Sequence, residues 1–136
     1  MYFFEKIVSL DEYTAIDASF YPDIVFLYGD LAAGKTTFTK SMIRMLTGKE
    51  ISVKSPTYTY YEKYGANIYH FDLYRLQDYD HFFAIGGEEI LDNSENISFI
   101  EWPQILEGIY TPSVVIHLKK TQNPLTRTLQ FTRKSS

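Results

Sequence analysis

The chain has 136 residues, 45% of them hydrophobic and 22% charged, a balance that fits one folded domain over residues 1–136 and excludes both wholesale disorder and two independent cores. It has no cysteine, which excludes disulfides, thiolate zinc sites and thiol nucleophiles. The net charge of −4 argues against a dedicated nucleic-acid binder, but it is unevenly placed: residues 108–136 carry five bases (Lys119, Lys120, Arg127, Arg133 and Lys134) and no acid. Two readings of that segment stand: a solvated basic face on terminal strands, or a tail that approaches a phosphate or an acidic partner. The longest apolar run, Ile24 to Tyr28, is far too short to span a membrane. The opening residues, MYFFEKIVSLDEY, lack a basic stretch followed by an apolar core, so a cytoplasmic domain is expected.

In chain order, Ser9-Leu10-Asp11-Glu12 has the capping-box pattern, and Tyr13, Ile16 and Phe20 recur at helical spacing, which predicts a helix over about 10–20. Pro22-Asp23 ends it. Ile24 to Tyr28 is a continuous apolar run rich in β-branched and aromatic residues and predicts a strand buried on both faces, as in a parallel sheet. After a loop from Gly29 to Lys35, Phe38, Met42, Met45 and Leu46 line one side of a helix that ends near Gly48. Tyr58–Tyr64 and Asn67–Phe71 flank Gly65-Ala66 and predict a hairpin. Short helical turns are expected between Asp78 and Leu91, interrupted by Gly86-Gly87. A strand is expected over Ile97–Ile100, stopped at Pro103, and two closing antiparallel strands over Val114–Leu118 and Thr126–Thr132. The order strand, loop, helix, mixed strands predicts an α/β domain with a partly parallel sheet.

Gly29-Asp30-Leu31-Ala32-Ala33-Gly34-Lys35-Thr36 fits G-x-x-x-x-G-K-[ST]. Glycines let the backbone curl so that amide N–H groups point at phosphate oxygens, and the following helix adds its positive N-terminus. The lysine sets a point charge on the β- and γ-phosphates, and the threonine hydroxyl suits Mg²⁺. A chance match in a chain of this length arises roughly once in several hundred, with Gly at about 7% of residues. The position between an apolar strand and an amphipathic helix is the context that the mechanism demands.

A nucleotide with Mg²⁺ needs a further acid at a neighbouring strand end, and two candidates exist: Asp72 after Ile68-Tyr69-His70-Phe71 and Glu101 after Ile97-Ser98-Phe99-Ile100. Ser55-Pro56-Thr57 offers hydroxyls to a γ-phosphate or a metal-bound water, or is an ordinary turn. His70, His81 and His117 have no metal-ligand spacing. His70 and Asp72 share one side of a strand, which allows a His–Asp pair, although a hydrogen-bonded structural histidine is the plainer reading. The many tyrosines between Tyr58 and Tyr69 read as hairpin packing rather than as a nucleic-acid stacking platform, because no basic groove accompanies them.

GDLAAGKTTF (29–38), VKSPTYT (53–59), YHFDLYRL (69–76) and IEWP (100–103), in this order and spacing, closely resemble the TsaE family of small bacterial phosphate-loop ATPases required for tRNA threonylcarbamoyladenosine biosynthesis. The resemblance runs from about Ser9 to Arg127. It implies a three-layer α/β domain like that of P-loop NTPases, with a mixed, partly parallel central sheet and antiparallel C-terminal strands. It implies that Gly29, Asp30, Leu31, Ala32, Ala33, Gly34, Lys35, Thr36 and Thr37 bind the ATP phosphates. Thr36 and Glu101 would ligate Mg²⁺, Asp72 would lie near the metal and the attacking water, and Thr57 would sense the γ-phosphate. Trp102 would lie beside the nucleotide, Ser9 and Asp11 at the edge of the adenine pocket, and Arg127 would approach the nucleotide. The partners implied are TsaB and TsaD, with tRNA engaged indirectly through them and no membrane.

Two positions depart from the family pattern. Ala32 stands where glycine is usual, and a Cβ there costs roughly 1–2 kcal/mol if φ is positive and nothing otherwise. Gly87 replaces an apolar residue. The alternative function is a small-molecule P-loop kinase, which would need an arginine-bearing lid, and no arginine-rich stretch is present. A GTPase would carry an Asn-Lys-x-Asp run, which is absent, and intact Gly34, Lys35 and Thr36 argue against a purely structural module.

Overall fold

A computed structural model of the chain describes residues 2–9, 23–30, 33–48 and 59–133. The expected helix over 10–20, and Asp11, Leu31, Ala32 and the Ser55–Thr57 segment, lie outside the described residues. Within them, strand β1 (Tyr2–Ser9) is followed by β2 (Ile24–Tyr28), helix α1 (Lys35–Thr47), β3 (Tyr61–Tyr64), β4 (Ile68–Asp72), α2 (Tyr79–Ala84) and α3 (Gly87–Asp92). Strand β5 (Ile97–Glu101), a 3-10 turn (Pro103–Leu106), β6 (Val114–Lys120) and β7 (Thr126–Arg133) complete them. The seven strands form one sheet in the order β1-β7-β6-β2-β5-β4-β3. β6, β2, β5 and β4 run parallel, while β3 on one side and β7 and β1 on the other pair antiparallel.

β2 is the strand that must be buried on both faces, and its three middle residues, Val25, Phe26 and Leu27, are at most 2% exposed. Val25 and Leu27 face α1, where Phe38, Met42 and Ile43 meet Phe99, Ile116 and Leu118. Phe26 faces the opposite side, where Phe71, Phe82, Leu91, Ile100 and Leu106 pack beneath α2, α3 and the 3-10 turn. The domain therefore has three layers, as the α/β pattern requires. The expected hairpin, the two closing strands and both short helices are present near their anticipated positions. β3 starts at Tyr61, later than the reading from sequence, because Tyr60 turns the chain at a left-handed φ of 66°. β1 was not anticipated. Its whole length pairs with β7 in antiparallel register, from Tyr2 opposite Arg133 to Ser9 opposite Thr126.

Gly87 has a packing reason. A Cβ there would lie 2.4 Å from Cε1 and Cζ of the Phe82 ring. That ring is fully buried and hemmed in by Phe71, Tyr79 and Tyr110. The aromatic ring of α2 thus fills the room that a side chain on α3 would take. Gly87→Ala is expected to destabilise the fold by about 1–2 kcal/mol, overpacking outweighing the better helix propensity of alanine, as read by denaturant unfolding; unchanged stability would show that Phe82 can give way.

Candidate functional site

The site lies at the C-terminal ends of the parallel strands, where β2 runs through the glycine loop into α1. At Gly29 the loop passes close to β6: a Cβ would come within 2.7 Å of the Leu118 carbonyl oxygen, so only glycine allows the approach. Ala33 N–H donates to the Asp30 carbonyl at 3.0 Å, and Phe38 N–H to the Gly34 carbonyl at 2.8 Å. α1 begins with no side-chain cap and no acid in its first turn, which leaves its leading N–H groups to an anion. Thr37 is exposed in that first turn and Asp30 is exposed in the loop.

Parallel pairing aligns the neighbouring strand ends. Glu101 sits opposite Leu27 on one side and opposite Asp72 on the other. Both carboxylates therefore stand on the α1 face beside the glycine loop. The Thr36 hydroxyl reaches Glu101, 2.9 Å from Oε2 and 3.1 Å from Oε1. Asp72 Oδ1 accepts the Tyr74 backbone N–H at 3.1 Å. Burial pushes the Asp72 carboxyl above its ordinary pKa of 3.8; Glu101 adds to the rise, while the Tyr74 bond, His70 and Lys35 oppose it.

Lys35 is buried, with Nζ 2.5 Å from the Gly29 carbonyl oxygen and 3.5 Å from the centre of the Trp102 ring. Burial lowers its pKa, while Glu101, Asp72 and Asp30 pull it back up. Trp102 gains this position from a left-handed backbone, φ 57° and ψ 58°, between the end of β5 and Pro103. Its ring also packs against Tyr74, with centroids 4.8 Å apart.

Arg127, on β7, turns inward and is buried. Its Nε donates to the Ala33 carbonyl at 2.9 Å, and Nη1 to the carbonyls of Thr126 and Pro124 at 2.7 and 3.0 Å. In the structure it thus braces the glycine loop from behind. Ser9, at the end of β1, is paired beside it at Thr126. Lys119 and Lys120 are exposed and line a cleft of about 410 Å³ together with Tyr28, Gly29, Asp30, Ala33, His117 and Leu118. Part of the basic segment therefore borders the glycine loop. In this cleft Tyr28 and His117 stack with centroids 4.9 Å apart, and the Tyr28 hydroxyl donates to Glu107 at 2.9 Å.

Of the two readings of His70, the hydrogen-bonded histidine is the one found. His70 pairs with Glu101, Nε2 to Oε2 at 2.5 Å, and not with Asp72. Same-side residues two apart on one strand are separated by nearly 7 Å, whereas a neighbouring strand is less than 5 Å away. Only the register of β4 against β5 reveals the partner, and nothing within one strand signals it.

Thr36 and Glu101 offer the hard oxygens that Mg²⁺ prefers, and they already meet through a shared hydrogen bond. No group of three or more His, Asp or Glu side chains that could hold a metal occurs among the described residues.

The raised Asp72 pKa has a pH consequence. The folded chain holds that proton more tightly than the unfolded one, so the group favours folding below about pH 3.8 and loses this contribution as pH rises through the folded value. Asp72→Asn keeps an oxygen for Tyr74 and removes the charge. It should therefore raise the unfolding temperature at pH 7, with the gain vanishing toward pH 3; no gain at pH 7 would contradict the buried-charge account.

Comparisons with known proteins bear on the family and the fold. The family described as "Threonylcarbamoyl adenosine biosynthesis protein TsaE" matches residues 6–129. A tRNA threonylcarbamoyladenosine biosynthesis protein TsaE from Rickettsia conorii is 39% identical over 105 residues, covering 74% of this chain and 59% of that one. The protein of the same name from Rickettsia prowazekii is 38% identical over 105 residues, 74% of this chain and 72% of that one. That from Haemophilus influenzae is 46% identical over 89 residues, 63% and 55% of the two chains. The chain thus spans between about half and three quarters of these relatives' lengths. Among solved structures, that of Bacillus subtilis YdiB superposes with a TM-score of 0.72 at 26% identity, covering 98% of this chain and 87% of that one. The match across nearly the whole sequence and the shared architecture establish that the chain belongs to the TsaE family.

Proposed function

We propose that this protein binds ATP with Mg²⁺, hydrolyses it slowly, and serves as an accessory protein in the threonylcarbamoyl modification of tRNA adenosine beside the anticodon, docking on TsaB and TsaD according to its nucleotide state. The observation that carries the reading is the convergence of Lys35, Thr36 and Glu101 at the start of an uncapped helix. Free backbone N–H groups and one ammonium there suit a triphosphate. The family membership supports the pathway, since the relatives are named for tRNA threonylcarbamoyladenosine biosynthesis.

In this reading Gly29, Asp30, Leu31, Ala32, Ala33, Gly34 and Thr37 form the loop and first helical turn around the phosphates, and Lys35 leaves the Gly29 carbonyl for the β- and γ-phosphate oxygens. Thr36 and Glu101 hold Mg²⁺, which when bound neutralises charge on the β- and γ-phosphates. Asp72 orients the attacking water, and Thr57 senses the γ-phosphate. Trp102 covers the phosphate end, and Ser9 and Asp11 border the adenine. Arg127, through Ala33, keeps the loop in its binding shape. The arginine that stabilises charge at the γ-phosphate would be Arg75 or come from a partner, and a partner's arginine would make hydrolysis by the chain alone slow.

The test is reconstituted threonylcarbamoyl transfer to tRNA with TsaB and TsaD. Wild-type protein should stimulate the reaction in an ATP-dependent manner, and Lys35→Ala, with its folding checked by circular dichroism, should lower the stimulation at least tenfold. Stimulation unchanged by the substitution would contradict the proposal.

A further inference from the structure

The His70 imidazole has no part in the scheme above, yet its surroundings are specific. It projects from β4 toward Glu101 at the end of β5 and is fully buried, against a Glu101 only 3% exposed. Nε2 lies 2.5 Å from Glu101 Oε2, while Nδ1 is buried with no hydrogen-bond partner. A ring protonated on Nδ1 alone would set two lone pairs against each other across that short gap and strand a buried N–H. Nε2 therefore carries a proton and donates it to Oε2.

This donation breaks the symmetry of the carboxylate. Oε2 accepts from both His70 and Thr36, whereas Oε1 accepts from Thr36 alone, at 3.1 Å. Lys35, the cation nearest in chemistry, is bonded to the Gly29 carbonyl. Asp72, directly opposite on β4, repels Glu101 and cannot hold it as a carboxylate. We infer that His70 is a positioning residue for Glu101: it locks Oε2 and so presents Oε1, beside the Thr36 hydroxyl, to the divalent cation. Groups standing behind a metal ligand in this way fix its orientation, and their loss typically weakens metal binding ten- to a hundredfold. The inference rests on the proposed role of Thr36 and Glu101 as cation ligands.

The experiment is calorimetric titration of ATP into the full chain, once in EDTA and once with saturating Mn²⁺, for wild type, His70→Leu and His70→Gln. The readout is the gain in ATP affinity that the cation brings. His70→Leu should lose about tenfold of that gain while its affinity in EDTA stays within about twofold of wild type. His70→Gln, which retains an N–H donor, should recover most of the gain. A full cation gain in His70→Leu, or a loss in His70→Gln as deep as in His70→Leu, overturns the positioning role while leaving the proposed function intact. Wild-type protein that binds no ATP in either condition overturns the proposed function and this inference together. Should His70→Leu fail to fold, the wild-type ring decides: its Nε2–H resonance, assigned by ¹⁵N-detected NMR, must be present and must shift when Mg²⁺ joins bound ATP. An absent or unmoved resonance overturns the inference.

Discussion

Parallel pairing of β2 with β5 is the constraint on which the site depends. It sets Glu101 opposite Leu27, two residues before the glycine loop opens, and places the next chain segment, through Trp102, over the Lys35 ammonium. The pairing is held by burial: Val25 and Leu27 against α1, and Phe26 against the helices of the opposite layer. A strand with apolar side chains on both faces has no solvent-facing register to slip into. The apolar core thus fixes the distance between a helix N-terminus and a carboxylate that come from segments 65 residues apart.

Around that frame the polar groups hold one another. Lys35, Glu101, His70 and Arg127 are all buried polar residues within this end of the sheet. Each has a named partner: the Gly29 carbonyl, the Thr36 hydroxyl, the Glu101 carboxylate and the Ala33 carbonyl respectively. Such groups are costly to bury unless paired, and their pairing holds them in place. The lowered pKa of Lys35 and the raised pKa of Asp72 have the same origin, exclusion of water from a cluster of charges.

Much of this was legible from the residues. The apolar run Ile24–Tyr28 and the Phe38–Met42 stripe predict a strand and a helix, and both are present, because each signal is local and strong. The hairpin around Gly65 is legible for the same reason. β1 was not, because a strand at the edge of a sheet is defined by its pairing with β7, at the far end of the chain. The partner of His70, Glu101, is not legible, because one strand's alternation is visible in sequence and the neighbouring strand's register is not. Arg127 could be marked as important, but its bond to Ala33, 94 residues away, appears only in three dimensions. The room that Phe82 takes at Gly87 likewise depends on how two short helices meet.

The central claim is that the glycine loop and Lys35 hold a triphosphate. Calorimetric titration of magnesium–ATP into the folded wild-type chain tests it most directly. The account predicts a saturable heat with one nucleotide bound per chain. A flat titration from properly folded protein would contradict it.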